Sequence, residues 1–305
     1  MTHPASADSS VRDPLPDGVY TALITPFRDD AERSVDFDEL GRLVDRQLAG
    51  GVHALVPCGT TGESPTLSHT EHDQVIEFVI ERAAGRVPVV AGTGSNSTSE
   101  ALRLTRHAAE AGAQAALVVC PYYNRPSQRM LERHFARLAA EGGLPIVLYN
   151  VPSRTGVDLL PETVARLRES HPEIVAIKEA SGSAARVAEL VDRSDIRILS
   201  GDDALSLPMI AYGARGVVSV ASNLAPAPVV HLIEAALEGN LGSARAAHAR
   251  LHRLFGALFS EPNPVPVKCA LRLIGHGNGV VREPLLPALP DTEQTLRDLL
   301  ASLDL

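Results

Sequence analysis

The sequence has no tryptophan, aromatic residues make up 4% of it, and only three of its 305 residues are cysteine. Cys58, Cys120 and Cys269 are far apart, odd in number and outside any C-x-x-C spacing, which excludes a disulfide framework and a zinc knuckle and fits a reducing cytoplasm. No apolar run reaches the roughly 18 residues that a membrane-crossing helix needs. Residues 1–16 (MTHPASADSSVRDPLP) lack the apolar stretch of a signal peptide and read as a disordered tail. A basic run is also missing, and a formal net charge of -9 argues against nucleic acid and anionic membrane as partners. The scarcest charged residue is lysine: of 28 Lys plus Arg residues only Lys178 and Lys268 are lysines, so 26 (28 minus 2) are arginines.

What is present is a repeated alternation. From Val19 onward, short runs rich in Val, Ile and Leu alternate with helix-period segments, the pattern of parallel strands buried on both faces. Eight such runs begin near Val19, Ala54, Val87, Ala115, Pro145, Ile174, Arg197 and Gly216, at intervals of 19 to 35 residues. Each interval accommodates one βα unit. Ser68 with Glu71, and Ser97 with Glu100, have the S-x-x-E spacing of capping boxes that open helices. Eight consecutive units, none followed by a G-x-G-x-x-G turn, predict an α/β chain folded as a (β/α)8 barrel rather than a doubly wound sheet. The barrel is expected over 17–238. Residues 239–305 form a C-terminal helical appendage with helices near 241–259, 264–275 and 291–303, the second entered through the proline-rich turn SEPNPVPVK.

In such a barrel the chemistry collects in the loops after the strands. Those loops are CGTTGES, CPYYNRPS, YNVPSRTG, KEASG and SGDDA. In IVAIKEASG, four apolar residues run directly into Lys178. Burying an ammonium is unfavourable unless it is paired, and a deprotonated amine can attack a carbonyl where a guanidinium cannot. Condensation with a ketone gives an iminium, loss of a proton from the adjacent methyl gives an enamine, and the proton traffic calls for a hydroxyl such as that of Tyr149. Gly59 and Gly62 let backbone N–H groups approach a carboxylate, while Thr60 and Thr61 add hydroxyl donors, so a keto acid fits.

Other residues read more plainly. Lys268, in an amphipathic helix, is expected to be a surface or interface charge. Asp202 and Asp203 are expected to cap the helix that follows them. His69 and His72 lack a third ligand, so no metal is indicated. Cys58 and Cys120 read as small buried apolar residues. Tyr122 and Tyr123 should point to opposite sides, with Tyr123 the one that serves a site.

Taken together, GTTGES, PYYNRPSQ, YNVPSRTG, IKEASG, SGDDA and EPNPVPVK resemble the dihydrodipicolinate synthase family, over about Gly18 to Leu289. That family belongs with the pyruvate-dependent class I aldolases, which include N-acetylneuraminate lyase. The resemblance implies a TIM barrel lyase of lysine and diaminopimelate biosynthesis that joins pyruvate to L-aspartate 4-semialdehyde without a cofactor. It implies that Lys178 forms the Schiff base, that Tyr149 shuttles protons, and that Thr60 and Tyr123 complete a hydroxyl relay, Tyr123 reaching into a neighbouring subunit. Thr61, Val218 and Gly201 would surround the pyruvyl group, and Arg154 would hold the second carboxylate. A homo-oligomer follows, as a dimer of dimers. Ser64, His69, His72, Asn96, Glu100 and Tyr122 resemble the family's L-lysine effector site, although Pro65 stands where lysine-sensitive members often carry alanine. The alternatives are a related aldolase acting on a keto-deoxy-sugar or sialic acid, which would offer hydroxyls rather than a carboxylate to Arg154, and a non-catalytic keto-acid-sensing paralogue.

Overall fold

The computed structural model describes residues 15–303 and 305, so residues 1–14 of the expected tail lie outside the described residues. Leu15 is already buried, and the Pro16 carbonyl accepts a hydrogen bond of 2.6 Å from the Tyr20 hydroxyl. Eight strands follow: β1 (Gly18–Ala22), β2 (Ala54–Val56), β3 (Val90–Gly92), β4 (Ala115–Val119), β5 (Ile146–Asn150), β6 (Ile174–Glu179), β7 (Arg197–Ser200) and β8 (Gly216–Ser219). They lie in the order β2-β1-β8-β7-β6-β5-β4-β3, each paired parallel to its neighbour.

The remaining seam, between β2 and β3, is bridged at Leu55 and Val89. There the Leu55 N–H donates to the Pro88 carbonyl at 3.0 Å and the Gly92 N–H to the Pro57 carbonyl at 2.9 Å. Two prolines at one seam remove two ladder donors, which explains why it is the thinnest part of the closure. Pro88 also explains why β3 starts at Val90, three residues after the apolar run that begins at Val87.

Alternation along the strands separates two cores. On β5, Ile146 and Leu148 pack outward against the helices, whereas Val147 and Tyr149 face the barrel interior with Val56, Leu117, Leu199 and Val218. Large aliphatic side chains such as Ile146 and Leu148, fully buried, each stabilise the fold by about 1.5–3 kcal/mol relative to exposure.

The first capping box forms as read: Ser68 Oγ accepts from the Glu71 N–H at 3.2 Å, and the Ser68 N–H donates to the Glu71 carboxylate at 2.9 Å. The second does not. Ser97 makes no side-chain cap, its hydroxyl lying 3.0 Å from that of Ser99, and the Glu100 side chain turns away to His69, at 2.8 Å, and to the Ser95 hydroxyl.

The C-terminal helices are Leu241–Ala257, Val265–Leu273 and Pro290–Leu303, close to their expected spans. Lys268 corrects the reading of it as a surface charge. It is 2% exposed, paired with Glu63, and its Nζ donates to the Val280 carbonyl at 3.0 Å. Burial pulls its ammonium down to about 8, against the opposing pull of Glu63. The amphipathic pattern of 265–273 misled because it has two packed faces: Val265 through Leu271 are all buried. Among the described residues, no helix is long and apolar enough to cross a membrane.

Candidate active site

Lys178 and Tyr149 are register partners on β6 and β5. Strand alternation gives Lys178 the same inward face as Ala176, and parallel pairing brings its Nζ to 4.1 Å from the centre of the Tyr149 ring. Among the described residues no carboxylate pairs with Lys178, although its chain neighbour is Glu179. Glu179 points the other way. It accepts from the Ser181 N–H at 2.6 Å and from Asn150 Nδ2 at 3.1 Å, and burial pushes its carboxyl above the usual range. Gly201 stands beside the lysine: a Cβ there would lie 2.5 Å from Ala180 Cβ and 3.2 Å from Lys178 Cε, so any side chain would crowd the amine.

Tyr149, 6% exposed, lines a cavity of about 370 Å³. No carbonyl among the described residues takes its hydroxyl, so it is not the capped core tyrosine that burial alone would suggest. Thr60, Tyr122 and Arg154 share the cavity wall. Lys178, Thr61, Val218 and Gly201 are not part of that wall, and the Tyr149 ring touches both the open space and the amine. Arg154 lies in the short helix Pro152–Thr155, is exposed and has no ion pair among the described residues.

The GTTGE loop is a tight turn after β2. The N–H groups of Gly62 and Ser64 donate to the Gly59 carbonyl, and that of Glu63 to the Thr60 carbonyl. Those of Thr60 and Thr61 have no acceptor among the described residues. A Cβ on Gly59 would meet nothing within 4 Å, so a ligand can approach closely there. Gly62 corrects the expectation that both glycines expose the backbone to a ligand: its N–H is engaged in the turn, and a Cβ would lie 3.2 Å from Cys58 N, Leu23 O and Thr25 Oγ1. Thr61, 3% exposed, has its Oγ1 accepting from Asn263 Nδ2 at 2.9 Å.

Tyr122 and Tyr123 do diverge. Tyr122 lines the cavity, while Tyr123 is 90% exposed with a left-handed φ of 71°. Such a backbone is strained for an aromatic residue and is held where the surroundings require it. The same cavity takes in Ser64, His69, His72 and Glu100. Glu100 has its carboxyl drawn below the usual range by the Ser95 hydroxyl and His69. His72 is buried, with Nε2 2.9 Å from the Gly92 carbonyl. Asn96 is not in the wall, and its carbonyl accepts from Asn124 Nδ2 at 2.9 Å. Pro65 sits in the first positions of the 3-10 turn Ser64–Thr66, where an N–H would go unused.

Two further residues correct or extend the sequence reading. The helix Ser206–Ala211 has no side-chain cap, and Asp202 instead holds the turn before it, accepting from the Ala204 N–H at 2.8 Å. Asp203 does not cap the helix either; it is buried and ties β7 to the end of β8 by accepting from the N–H groups of Val220, at 2.9 Å, and Ala221, at 3.0 Å. Asn150, missed from sequence, orders the rim after β5: its Nδ2 donates to Asp158 at 2.9 Å and its Oδ1 accepts from the Leu159 N–H at 2.9 Å. Its only signal was a polar side chain closing an apolar strand. Cys58 and Cys120 are buried as expected, with burial raising both thiols.

Residues 15–303 match the family model described as the dihydrodipicolinate synthetase family. A 4-hydroxy-tetrahydrodipicolinate synthase of Methanothrix thermoacetophila is 53% identical over 289 residues, covering 94% of this chain and 96% of that protein. The crystal structure of the chloride-inhibited dihydrodipicolinate synthase from Acinetobacter baumannii, complexed with pyruvate, superposes with a TM-score of 0.92 at 40% identity, covering 94% of this chain and 99% of the other. The synthase from Cyanidioschyzon merolae with lysine bound gives 0.90 at 40% identity, covering 94% of this chain and 98% of the other. Fold, motif order and full-length similarity agree, and the chain belongs to the dihydrodipicolinate synthetase family.

Proposed function

We propose that this lyase condenses pyruvate with L-aspartate 4-semialdehyde to give 4-hydroxy-tetrahydrodipicolinate, through a Schiff base on Lys178. The amine attacks the pyruvyl ketone, water leaves, and the iminium withdraws electrons from the adjacent methyl. A proton passes from that methyl to the Tyr149 oxygen and onward through Thr60, leaving an enamine. The enamine carbon attacks the aldehyde of the second substrate, and that substrate's own amine then displaces Lys178 and closes the ring. The N–H groups of Thr60 and Thr61, with their hydroxyls, receive the keto acid's carboxylate, and Val218 and Gly201 bound the pyruvyl group. Arg154 receives the semialdehyde's carboxylate with its two-pronged guanidinium.

The observation that carries this reading is a lysine that no carboxylate among the described residues pairs with, in contact with a tyrosine whose hydroxyl has no carbonyl partner among them. Tyr123, exposed and strained, completes the relay of a second copy, so the working unit is at least a dimer and, by likeness to the family, a dimer of dimers. The free thiols fit a cytoplasmic setting. L-Lysine binds at Glu100, His69, His72, Ser64, Asn96 and Tyr122 and reduces activity through Tyr122, which adjoins Tyr123 in the chain. Turnover of pyruvate with the semialdehyde tests the function, and a chain that consumes neither substrate together contradicts it.

A further inference from the structure

We propose that Lys268 is a positioning residue for the condensation: with Glu63 and Asn263 it clamps the loop bearing Thr60 and Thr61 and so fixes the donors that receive the keto acid's carboxylate. The proposal rests on the Schiff-base reading above. Glu63 follows Thr61 by two residues and is held at a φ of 53°, a left-handed conformation that a glutamate does not adopt without restraint. The restraint is visible. The Glu63 carboxylate, 1% exposed at its side chain, has one oxygen in a close charge contact with the Lys268 ammonium. Its other oxygen accepts from the Arg282 N–H at 2.9 Å.

Lys268 is itself fixed on two further sides, by the Val280 carbonyl at 3.0 Å and by the Phe27 ring, 4.1 Å away at its centre. Five residues earlier on the same segment, Asn263 donates to Thr61 Oγ1, which leaves the Thr61 hydroxyl proton free to donate elsewhere. One stretch of chain thus holds the loop at Thr61 and at Glu63, on either side of Gly62. The charged groups facing the ammonium are Glu63 and Arg282, and Arg282 is in turn paired with Glu71. A buried ion pair is often no more stabilising than apolar residues of the same volume, so its presence behind a reactive loop is better explained by geometry than by stability.

The test compares Lys268→Met, Asn263→Ala and the charge-balanced double variant Glu63→Gln/Lys268→Met with the wild type. Two quantities are read: borohydride-trapped pyruvate on Lys178 as a function of pyruvate concentration, and the KM for each substrate. The clamp predicts that Lys268→Met and the double variant raise the KM for pyruvate and the half-saturating concentration for trapping together, by tenfold or more. The KM for the semialdehyde stays within twofold, and Asn263→Ala shifts pyruvate in the same direction by less. If Lys268→Met does not fold, the double variant, which leaves no lone buried charge, carries the decision; if neither folds, Asn263→Ala does. Folded variants whose pyruvate dependence stays within twofold of wild type, or whose two KM values rise equally, overturn the proposal. Absence of trapping in the wild type would instead remove the Schiff-base reading itself.

Discussion

The Lys178 amine lies 4.1 Å from the centre of the Tyr149 ring, its register partner on the adjacent strand, with no carboxylate pairing with it among the described residues. The other lysine has the opposite surroundings: Lys268 contacts a carboxylate, a carbonyl and an aromatic ring. A chain with two lysines has buried both and neutralised one. That contrast separates a reactive amine from a structural charge more sharply than burial, which is 7% exposure for Lys178 and 2% for Lys268.

Arg154→Ala should raise the KM for L-aspartate 4-semialdehyde by tenfold or more, about 1.4 kcal/mol, while pyruvate trapping on Lys178 stays near wild type. The guanidinium is exposed in the cavity wall and has no ion pair among the described residues, so removing it leaves no charge stranded. Steady-state kinetics with each substrate varied, set against single-turnover trapping, checks this. Equal losses in both would give Arg154 a different role.

L-Lysine at millimolar concentration should lower the initial rate of the wild type, and Glu100→Ala should weaken that inhibition several-fold. Glu100 engages His69 and Ser95 at the cavity edge, so an ammonium arriving there meets a carboxylate already oriented. Rates measured against rising lysine decide it. An unchanged fall in Glu100→Ala would remove the effector site and leave the catalytic reading intact.

Acid should destabilise the fold in two windows. Burial lowers His134 from 6.5 to about 4, so the unfolded chain binds more protons across that interval and stability falls as pH drops through it. Hydrogen bonds from Arg282 lower Glu71 from 4.5 to about 2, so its contribution is present above about pH 4.5 and disappears as pH falls toward 2. Thermal midpoints of Glu71→Gln and wild type should therefore differ at pH 6 and converge between pH 4.5 and 2.5. A gap that does not narrow would mean that the carboxylate charge is not what Arg282 holds.

The strands and the rim loops were legible because continuous apolar runs, buried on both faces and spaced one βα unit apart, leave strong local traces, and Lys178 was visible as a charge ending an apolar strand. What escaped was decided by long-range partners. Glu100 has the spacing of a capping box but is drawn away by His69, 31 positions earlier in the chain. Lys268 sits on a segment with an amphipathic pattern, yet it meets Glu63 from the loop after β2, a pairing across 205 residues (268 minus 63) that no window of sequence contains. Asp203 follows the same rule, reaching β8 rather than the adjacent helix. Gly62 was read for the ligand and serves the packing of its own turn.

The most direct test of the central claim is peptide mapping after sodium borohydride reduction in the presence of pyruvate. Reduction of the iminium fixes the three-carbon unit on the amine that formed it, and only two lysines are present to carry it. The account predicts one pyruvate-dependent adduct, on Lys178, which is lost in Lys178→Arg together with turnover although the charge is kept. An adduct on Lys268, or none at all, would contradict it.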